Sequence, residues 1–577
     1  MNNPFMPVDL DKRWENMSQA GPNLQSRELF RFVLNATENQ THVQEVEQAL
    51  IWAEAFQDRD PNSETYGNFR WYRKNEKPMD RNAVEFAMEV GVLVWIHHRE
   101  KLSGESQARL KQLMEFSVEG IRRHTPAVSY TNIYTMKMWN CIGIGENLPN
   151  QELAEEGYAM VDTWMAEISQ NGLHEYVSPT YSPVSMECIE NIAQHTTQDQ
   201  VREKINRALK LCWLQLGANW LPTCERLVGA HSRDYDYLGT GVRNLRVRNR
   251  MASLLNPKDK NETPAYVPTP YMQDDVKKML NNVPRIVCQK WGAKPYETAT
   301  TYVGQQFAIG SAGAAYGPID KCLTVHLRDK ETPNISFFCD ARGDHYGQRQ
   351  FELKDGHSKA LHLVPFLTSV QKGPEVLFLA APEPKGRHYH RSAPNPTCLL
   401  SHLILPNNGT VSISTEQLDN QTIISQKVPN GTPIFLQYDN VNIGIRFVVA
   451  TQTNGEEANV MFERDQEGQD YGAMRITCTH DTTAPTTRGI AAIWIGIQEN
   501  ASPDEYVAFQ KHFSQEVTVS TTEQTLTASV PGWHSEMSLS VDLENQAPLA
   551  LIGGETNINT ALFAVNTQEI GRNILSE

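Results

Sequence analysis

The sequence predicts an α+β multidomain protein, an N-terminal (α/α)n toroid of helical hairpins followed by a large antiparallel β-sandwich. Three observations predict it. Apolar residues recur at spacings of three and four up to about residue 255. From about residue 296 the period changes to two. The stretch between is rich in Pro and polar residues. A chain of 577 residues exceeds one ordinary core, so several domains are expected. They read as a helical domain at 1–255, a connector with one short helix at 256–295, and a sandwich at 296–577.

In the helical part, "HVQEVEQALIWAEAFQD" (42–58), residues 80–102, 103–124, 129–148, 151–170 and 198–221 carry the helical period. Several are apolar over much of their circumference and should be buried on more than one side. Short polar links such as "KLSGES" make neighbours antiparallel, and a long series of such hairpins closes into a double ring around a cleft. The connector holds "LNPKDKNETPAYVPTPY" and then the helix "MQDDVKKMLNNV". Beyond it, "TATTYVGQQFAIGS", "EVLFLAA", "CLLSHLILP", "NIGIRFVVAT" and "GIAAIWIGIQ" are among at least ten strand-like runs, punctuated by "PNNGT", "PNGT" and "TNGEE".

A formal charge of -16 disfavours nucleic acid and acidic membranes as partners. An acidic substrate would need its basic residues gathered in one cleft. The nine cysteines are scattered singly with no CxxC, which disfavours both a disulfide scaffold and a cysteine zinc site. No apolar run is long enough to span a bilayer, and the N-terminus lacks a signal-peptide pattern. The expectation is a soluble chain, secreted or periplasmic if a signal peptide has been removed and otherwise cytoplasmic.

Two segments interrupt the helices with polar and aromatic groups. In "NGLHEYVSPTY" (171–181), Asn171-Gly172 ends a helix and two nearby Pro forbid its continuation, leaving Glu175, Tyr176 and Tyr181 on a loop. In "GAHSRDYDYLGTG", His231, Arg233, Tyr235 and Tyr237 fall within seven residues. Arg offers a planar fork for a carboxylate, Tyr transfers a proton in a desolvated site, and His titrates near neutrality. The competing reading is an Arg–Asp pair with packed tyrosines. In "VSYTNIYTMKMWN", Asn132 and Asn140 lie on an otherwise apolar helix, where an amide binds a carboxyl or ties helices together; for Asn140 the tie is favoured. "GNFRWYRKN" supplies Arg70, Trp71, Tyr72 and Arg73, either as a sugar-stacking wall or as a packed loop.

The β-region adds "CDARGDHYGQRQF" and "PKGRHYHRSAPN", with His345, Arg387, His388, His390 and Arg391. His388 and His390 would share one face of a strand. No carboxylate has diagnostic metal spacing beside them, so the reading is a basic rim on the cleft or a solvated hairpin, with no metal and no cofactor. GxGxxG after a strand, GxxxxGK[ST], HExxH and GxSxG are all missing.

The quoted motifs at 67–86, 129–140, 171–181 and 227–241 resemble polysaccharide lyases of the heparinase II/III, alginate and glucuronan lyase kind, over roughly residues 60–245. The resemblance implies β-elimination on a uronic-acid-containing polysaccharide. Such a reaction neutralises the uronate carboxylate, removes the C5 proton and protonates the leaving oxygen. Carried onto this chain, Asn132 and Arg233 would hold the carboxylate. His231 would be the base, Tyr235 or Tyr181 the acid, and Glu175 would orient one of them. Trp71, Tyr72, Tyr176, Tyr237, Arg70, His388 and His390 would line subsites. Two alternatives stay open: a glycoside hydrolase using Glu175 with Asp234 or Asp236, and a non-catalytic glycan-binding protein.

Overall fold

The computed structural model describes residues 9–235, 245–255, 270–329, 332, 334–353, 357–360, 362–384, 396–418, 425–465, 474–555 and 561–576. The first part is helical: α1 (Leu10–Gln19), α2 (Ser26–Glu38), α3 (Val43–Phe56), α4 (Ala83–His98), α5 (Gly104–Arg123), α6 (Thr131–Asn147), α7 (Gln151–Asn171), α8 (Tyr181–His195), α9 (Asp199–Ala218), α10 (Leu245–Leu255) and α11 (Pro270–Asn281). Helices α2, α4, α6 and α8 pack each on the next, and α10 lies beside α8. Outside them, α3 packs on α5, and α9 lies between α7 and α11. Arg122 of α5 reaches Glu152 and Glu156 of α7 and completes the outer row. Arg246 and Arg250 of α10 reach Glu187 and Glu190 of α8 at 3.2 and 2.6 Å.

Inner-ring position explains the all-round apolarity of α6. Every residue from Thr131 to Gly145 is buried. Such a helix gives no amphipathic signal, because it has no wet face. Helix α8 starts at Tyr181, inside the segment read as a Pro-broken loop. Pro183 stands in its first turn, where the missing N–H has no intrahelical partner to lose. Helices α1 and α2 also precede the first helix expected from the sequence, and α2 buries Leu29, Phe30, Phe32, Val33 and Ala36.

The second part is antiparallel. Among the described residues there is an eleven-stranded sheet and a seven-stranded sheet. Strand Arg285–Lys290 already belongs to the larger sheet, although it lies in the stretch read as connector. The strand Glu375–Ala381 lies inside the smaller sheet. Its Val376, Phe378 and Ala380 face the core shared with the larger sheet, where Phe378 meets Phe337 edge-on at 5.0 Å. Its Leu377, Leu379 and Ala381 face a second core with Trp494, helix α12 (Pro503–Phe513) and the four-stranded sheet of residues 518–552. Burial on both faces is why "EVLFLAA" does not alternate. The tail expected to extend the sandwich forms this third layer instead, and a last helix, α13 (Gly571–Ser576), returns to pack on α9 and α7. Among the described residues no helix is long and apolar enough to cross a membrane.

The two parts meet along a continuous seam. His231 and Lys321 exchange backbone hydrogen bonds at 2.9 and 2.8 Å, as neighbouring strands would. The amide of Asp234 donates to Ile319 at 2.8 Å. Gly172 has φ 74° and ψ −170°, and a Cβ there would lie 1.9 Å from the Lys290 carbonyl. A Cβ on Gly229, with φ +100°, would lie 2.2 Å from the Thr301 hydroxyl. Both glycines let helical-domain loops press against the sheet.

Candidate active site

The segment 171–181 leaves α7 at Gly172 and enters α8 at Tyr181; the segment 226–235 runs along the seam beside it. The amide and the hydroxyl of Ser232 both donate to the Tyr176 carbonyl at 3.0 Å, which joins the two. Val177 and Arg233 have φ of 43° and 46°. Left-handed backbone at residues with a Cβ costs on the order of 1–3 kcal/mol each, and the surrounding hydrogen bonds hold it. Ser178 is one such holder: its hydroxyl donates to the Arg233 carbonyl at 3.4 Å.

The side chains form two layers. At the back, Glu175 is 1% exposed and Asn132 is fully buried at the start of α6. The Asn132 backbone amide and Nδ2 donate to the Glu175 carboxylate at 2.7–2.8 Å. Arg233 Nη1 donates to Glu175 Oε1 at 2.5 Å. In front, Arg233 Nη2 donates to the Tyr181 hydroxyl at 3.1 Å, and the hydroxyls of Tyr181 and Tyr235 share a hydrogen bond at 3.1 Å. The guanidinium lies 4.0 Å from the Tyr181 ring centroid and 5.2 Å from that of Tyr130. Glu175 and Asn132 thus fix the cation, and the cation carries the phenols.

Charge follows from this layering. Burial pushes the Tyr181 phenol well above its usual range; Arg233 pulls it back down, and Tyr235 adds to the rise. Tyr130 is raised by burial too, and again Arg233 opposes the shift. Burial alone would lower the Arg233 pKa, but Tyr181 and Glu175 hold the guanidinium firmly charged. A fixed cation under a hydrogen-bonded phenol pair can hold a carboxylate and can stabilise a phenolate.

His231 and Asp234 turn the other way. Their side chains are 1% and 0% exposed, with His231 Nδ1 3.0 Å from Asp234 Oδ2. Lys321 of the sheet reaches the same oxygen at 2.8 Å. Burial would raise the Asp234 carboxyl, but Lys321 and His231 hold it far below the usual range. Burial lowers the His231 pKa against the pull of Asp234, and its Nε2 has no partner among the described residues. The expected base therefore lies under the seam and does not face the phenols' side of Arg233. The expected role for Asn132 changes in the same way, since its Nδ2 is occupied by Glu175. Glu175 and Asp234 are both buried and each is bound to a cation, Arg233 and Lys321, so that pair lacks the free carboxylates a hydrolase needs.

Of the expected subsite residues, Trp71 is buried and donates from Nε1 to Asp80 at 3.0 Å. Arg70 donates to the carbonyls of Asn75 and Ala55 at 2.8 and 2.5 Å, holding its own loop. Tyr176 is 1% exposed and stacks on Trp291 at 5.0 Å. Tyr72 is part-exposed, as is Arg70, and His357 of the β-domain lies 5.2 Å from the Tyr72 ring. Asn140 donates to the Glu85 carboxylate at 2.7 Å and ties α6 to α4. The ring of His345 stands 5.5 Å from that of His402. Asp236, Tyr237, Arg387, His388, His390 and Arg391 lie outside the described residues. Among the described residues no group of three or more His, Cys, Asp or Glu side chains is placed to hold a metal, and the nine cysteines are buried and free.

Sequence reasoning missed Tyr130 and Tyr316. Tyr130 stands near the start of a motif already singled out, and Asn82 donates to its hydroxyl at 3.3 Å. Tyr316 comes from the β-domain loop 313–320, and its hydroxyl donates to the Ser129 carbonyl at 3.0 Å. Nothing local marks "GAAYGPID" as a neighbour of residue 130.

Residues 27–280 match a family model described as a domain of unknown function, DUF8769. No curated protein matches the chain. Solved structures similar to it include a chondroitin AC lyase of Streptomyces coelicolor A3 in complex with chondroitin sulphate, at 8% identity over 93% of this chain and 84% of that one, with a TM-score of 0.46. A heparinase III is similar at 10% identity over 94% of this chain and 86% of that one, with a TM-score of 0.37.

Proposed function

We propose that this chain is a polysaccharide lyase that cleaves a uronic-acid-containing polymer by β-elimination. The observation that supports this reading is the Tyr181–Tyr235 phenol pair resting on Arg233, whose guanidinium is fixed from behind by Glu175 and Asn132. The proton at C5 of a uronate becomes removable once negative charge on its carboxylate is stabilised. Arg233, with Tyr130 beside it, meets that carboxylate. Tyr181, in direct contact with the cation, takes the C5 proton as its own proton passes along the hydrogen bond to Tyr235, and Tyr235 gives its proton to the glycosidic oxygen as the C4–O bond breaks. One proton enters at Tyr181 and one leaves from Tyr235, so both phenols end the step protonated. His231 supports the backbone of this segment from beneath the seam and moves no proton.

Incubation with alginate, glucuronan, pectate and glycosaminoglycans tests the reading. Cleavage should produce the ultraviolet band of a double bond conjugated to a carboxylate. New reducing ends without that band would reject elimination in favour of hydrolysis. Binding with neither product would leave a glycan-binding protein.

A further inference from the structure

Arg233 is held in place from the other domain. Its left-handed backbone is uncommon for a residue with a Cβ, so something must select it. Its amide donates to Asp320 Oδ1 at 2.7 Å. The second oxygen, Oδ2, accepts from the amides of Tyr316 and Gly317 at 2.5 and 2.9 Å. One carboxylate therefore joins the turn at 316–317 to the residue that carries the guanidinium. The bonds from Asp234 to Ile319 and between His231 and Lys321 flank this contact. Among the described residues no side-chain cation pairs with Asp320, so three backbone amides are its partners.

We propose that Asp320 is a positioning residue for Arg233, and that the β-domain loop 313–320 is thereby a working wall of the site. The same loop brings Tyr316 against Ser129, next to Tyr130, so one β-domain turn locates both the cation and a phenol of its surround. An amide cannot replace the carboxylate, because the Asn NH2 would face either the Arg233 N–H or those of Tyr316 and Gly317. The proposal rests on the lyase reading for its activity readout but not for its geometry.

The clamp also has a pH limit. Burial pushes the Asp320 carboxyl up to about 6, against the opposing pull of the amides of Arg233, Gly317 and Tyr316. A proton removes the charge that strengthens all three bonds, so the clamp loosens below that pH. The titratable and charged groups around Asp320 are Arg233, Tyr176, Tyr316, Cys322 and, across a cavity of about 20 Å³, His362. Burial and Arg342 hold His362 near 3, while burial raises Tyr176, Tyr316 and Cys322. Asp320 alone of these changes charge near pH 6.

The test uses the full chain, with Asp320→Asn and Asp320→Ala compared with wild type. The expected result is a fall in kcat of roughly 10²-fold with KM little changed, as for a catalytic group displaced by about 1 Å. The acid limb of the wild-type profile near pH 6 should vanish in both variants. A second readout needs no substrate: the side-chain nitrogen resonance of Arg233, followed by NMR, should shift near pH 6 in wild type and start displaced in the variants. Wild-type rates and an unmoved, non-titrating Arg233 resonance would overturn the proposal. If the variants fail to fold, the wild-type titration decides it alone: a shift near 6 supports the clamp, and a flat response overturns it. If wild type cleaves no polymer while Arg233 titrates near 6, the clamp stands and the lyase reading falls.

Discussion

Arg233 and Asp234 are adjacent in the chain, yet they head two different polar clusters. Arg233 gathers Glu175, Asn132, Tyr181 and Tyr235, and its side chain keeps 13% of its surface open to solvent. Asp234 gathers His231 and Lys321, with His326 5.7 Å from His231, and none of its side chain reaches solvent. Both clusters mix cations, a carboxylate and ring side chains. What separates them is which side of the interdomain seam each side chain takes. A polar group with access to solvent can trade its partner for a substrate; one sealed inside can only stabilise or destabilise the fold.

The comparison breaks most visibly at the phenols. Tyr181→Phe and Tyr235→Phe should each lower kcat by roughly 10²–10⁴-fold while leaving the unfolding midpoint nearly unchanged. If both variants stay active, the Arg233 cluster is not the reactive one. At Asp234 the expectation inverts. Lys321→Met or Asp234→Asn alone leaves an uncompensated buried charge and should cost about 3–5 kcal/mol in denaturant unfolding, whereas the double variant should recover much of that loss. A double variant no better than the singles would mean that the pair is not the unit.

Gly172→Ala places a Cβ 1.9 Å from the Lys290 carbonyl and should destabilise the chain by roughly 1–3 kcal/mol, with loss of activity as the 171–181 loop shifts. Acidification sharpens the contrast further. Burial lowers the pKa of both His231 and His326, so the unfolded chain binds protons that the fold refuses. Their contribution to stability is present above the usual imidazole value and is lost as pH falls below about 6.5. His326→Phe should flatten that part of the stability profile. The smallest effect belongs to His231→Gln, for which kcat should change by less than about tenfold, in contrast to the tyrosines; a loss comparable to Tyr181→Phe would restore His231 as the base.

Much of this was legible in the residues themselves. The period change marked the two architectures, and the segments at 129–140, 171–181 and 227–235 named most of the side chains that meet around Arg233. Helix α8 was not legible as starting at Tyr181, because Pro183 reads as a breaker unless the first turn is known. The roles of Asn132 and His231 were not legible either. Spacing gives the residue type at a position but not the direction in which a left-handed backbone, such as that of Arg233, sends its neighbours. Trp71 and Tyr176 illustrate the same gap, since an aromatic in a loop looks alike whether it faces a sugar or a core.

The sequence by itself determined the layer architecture, since burial demands period 3.6 on a half-wet helix and period two on a half-wet strand. It also determined the stock of chemistry, a cation, amides and phenols placed at helix ends. Only the tertiary structure decided that Asp320 and Tyr316, more than eighty residues downstream of Arg233, complete the site. The reason is that a seam between domains is built from backbone hydrogen bonds and close approaches at glycines, and neither leaves a periodic trace along either chain segment.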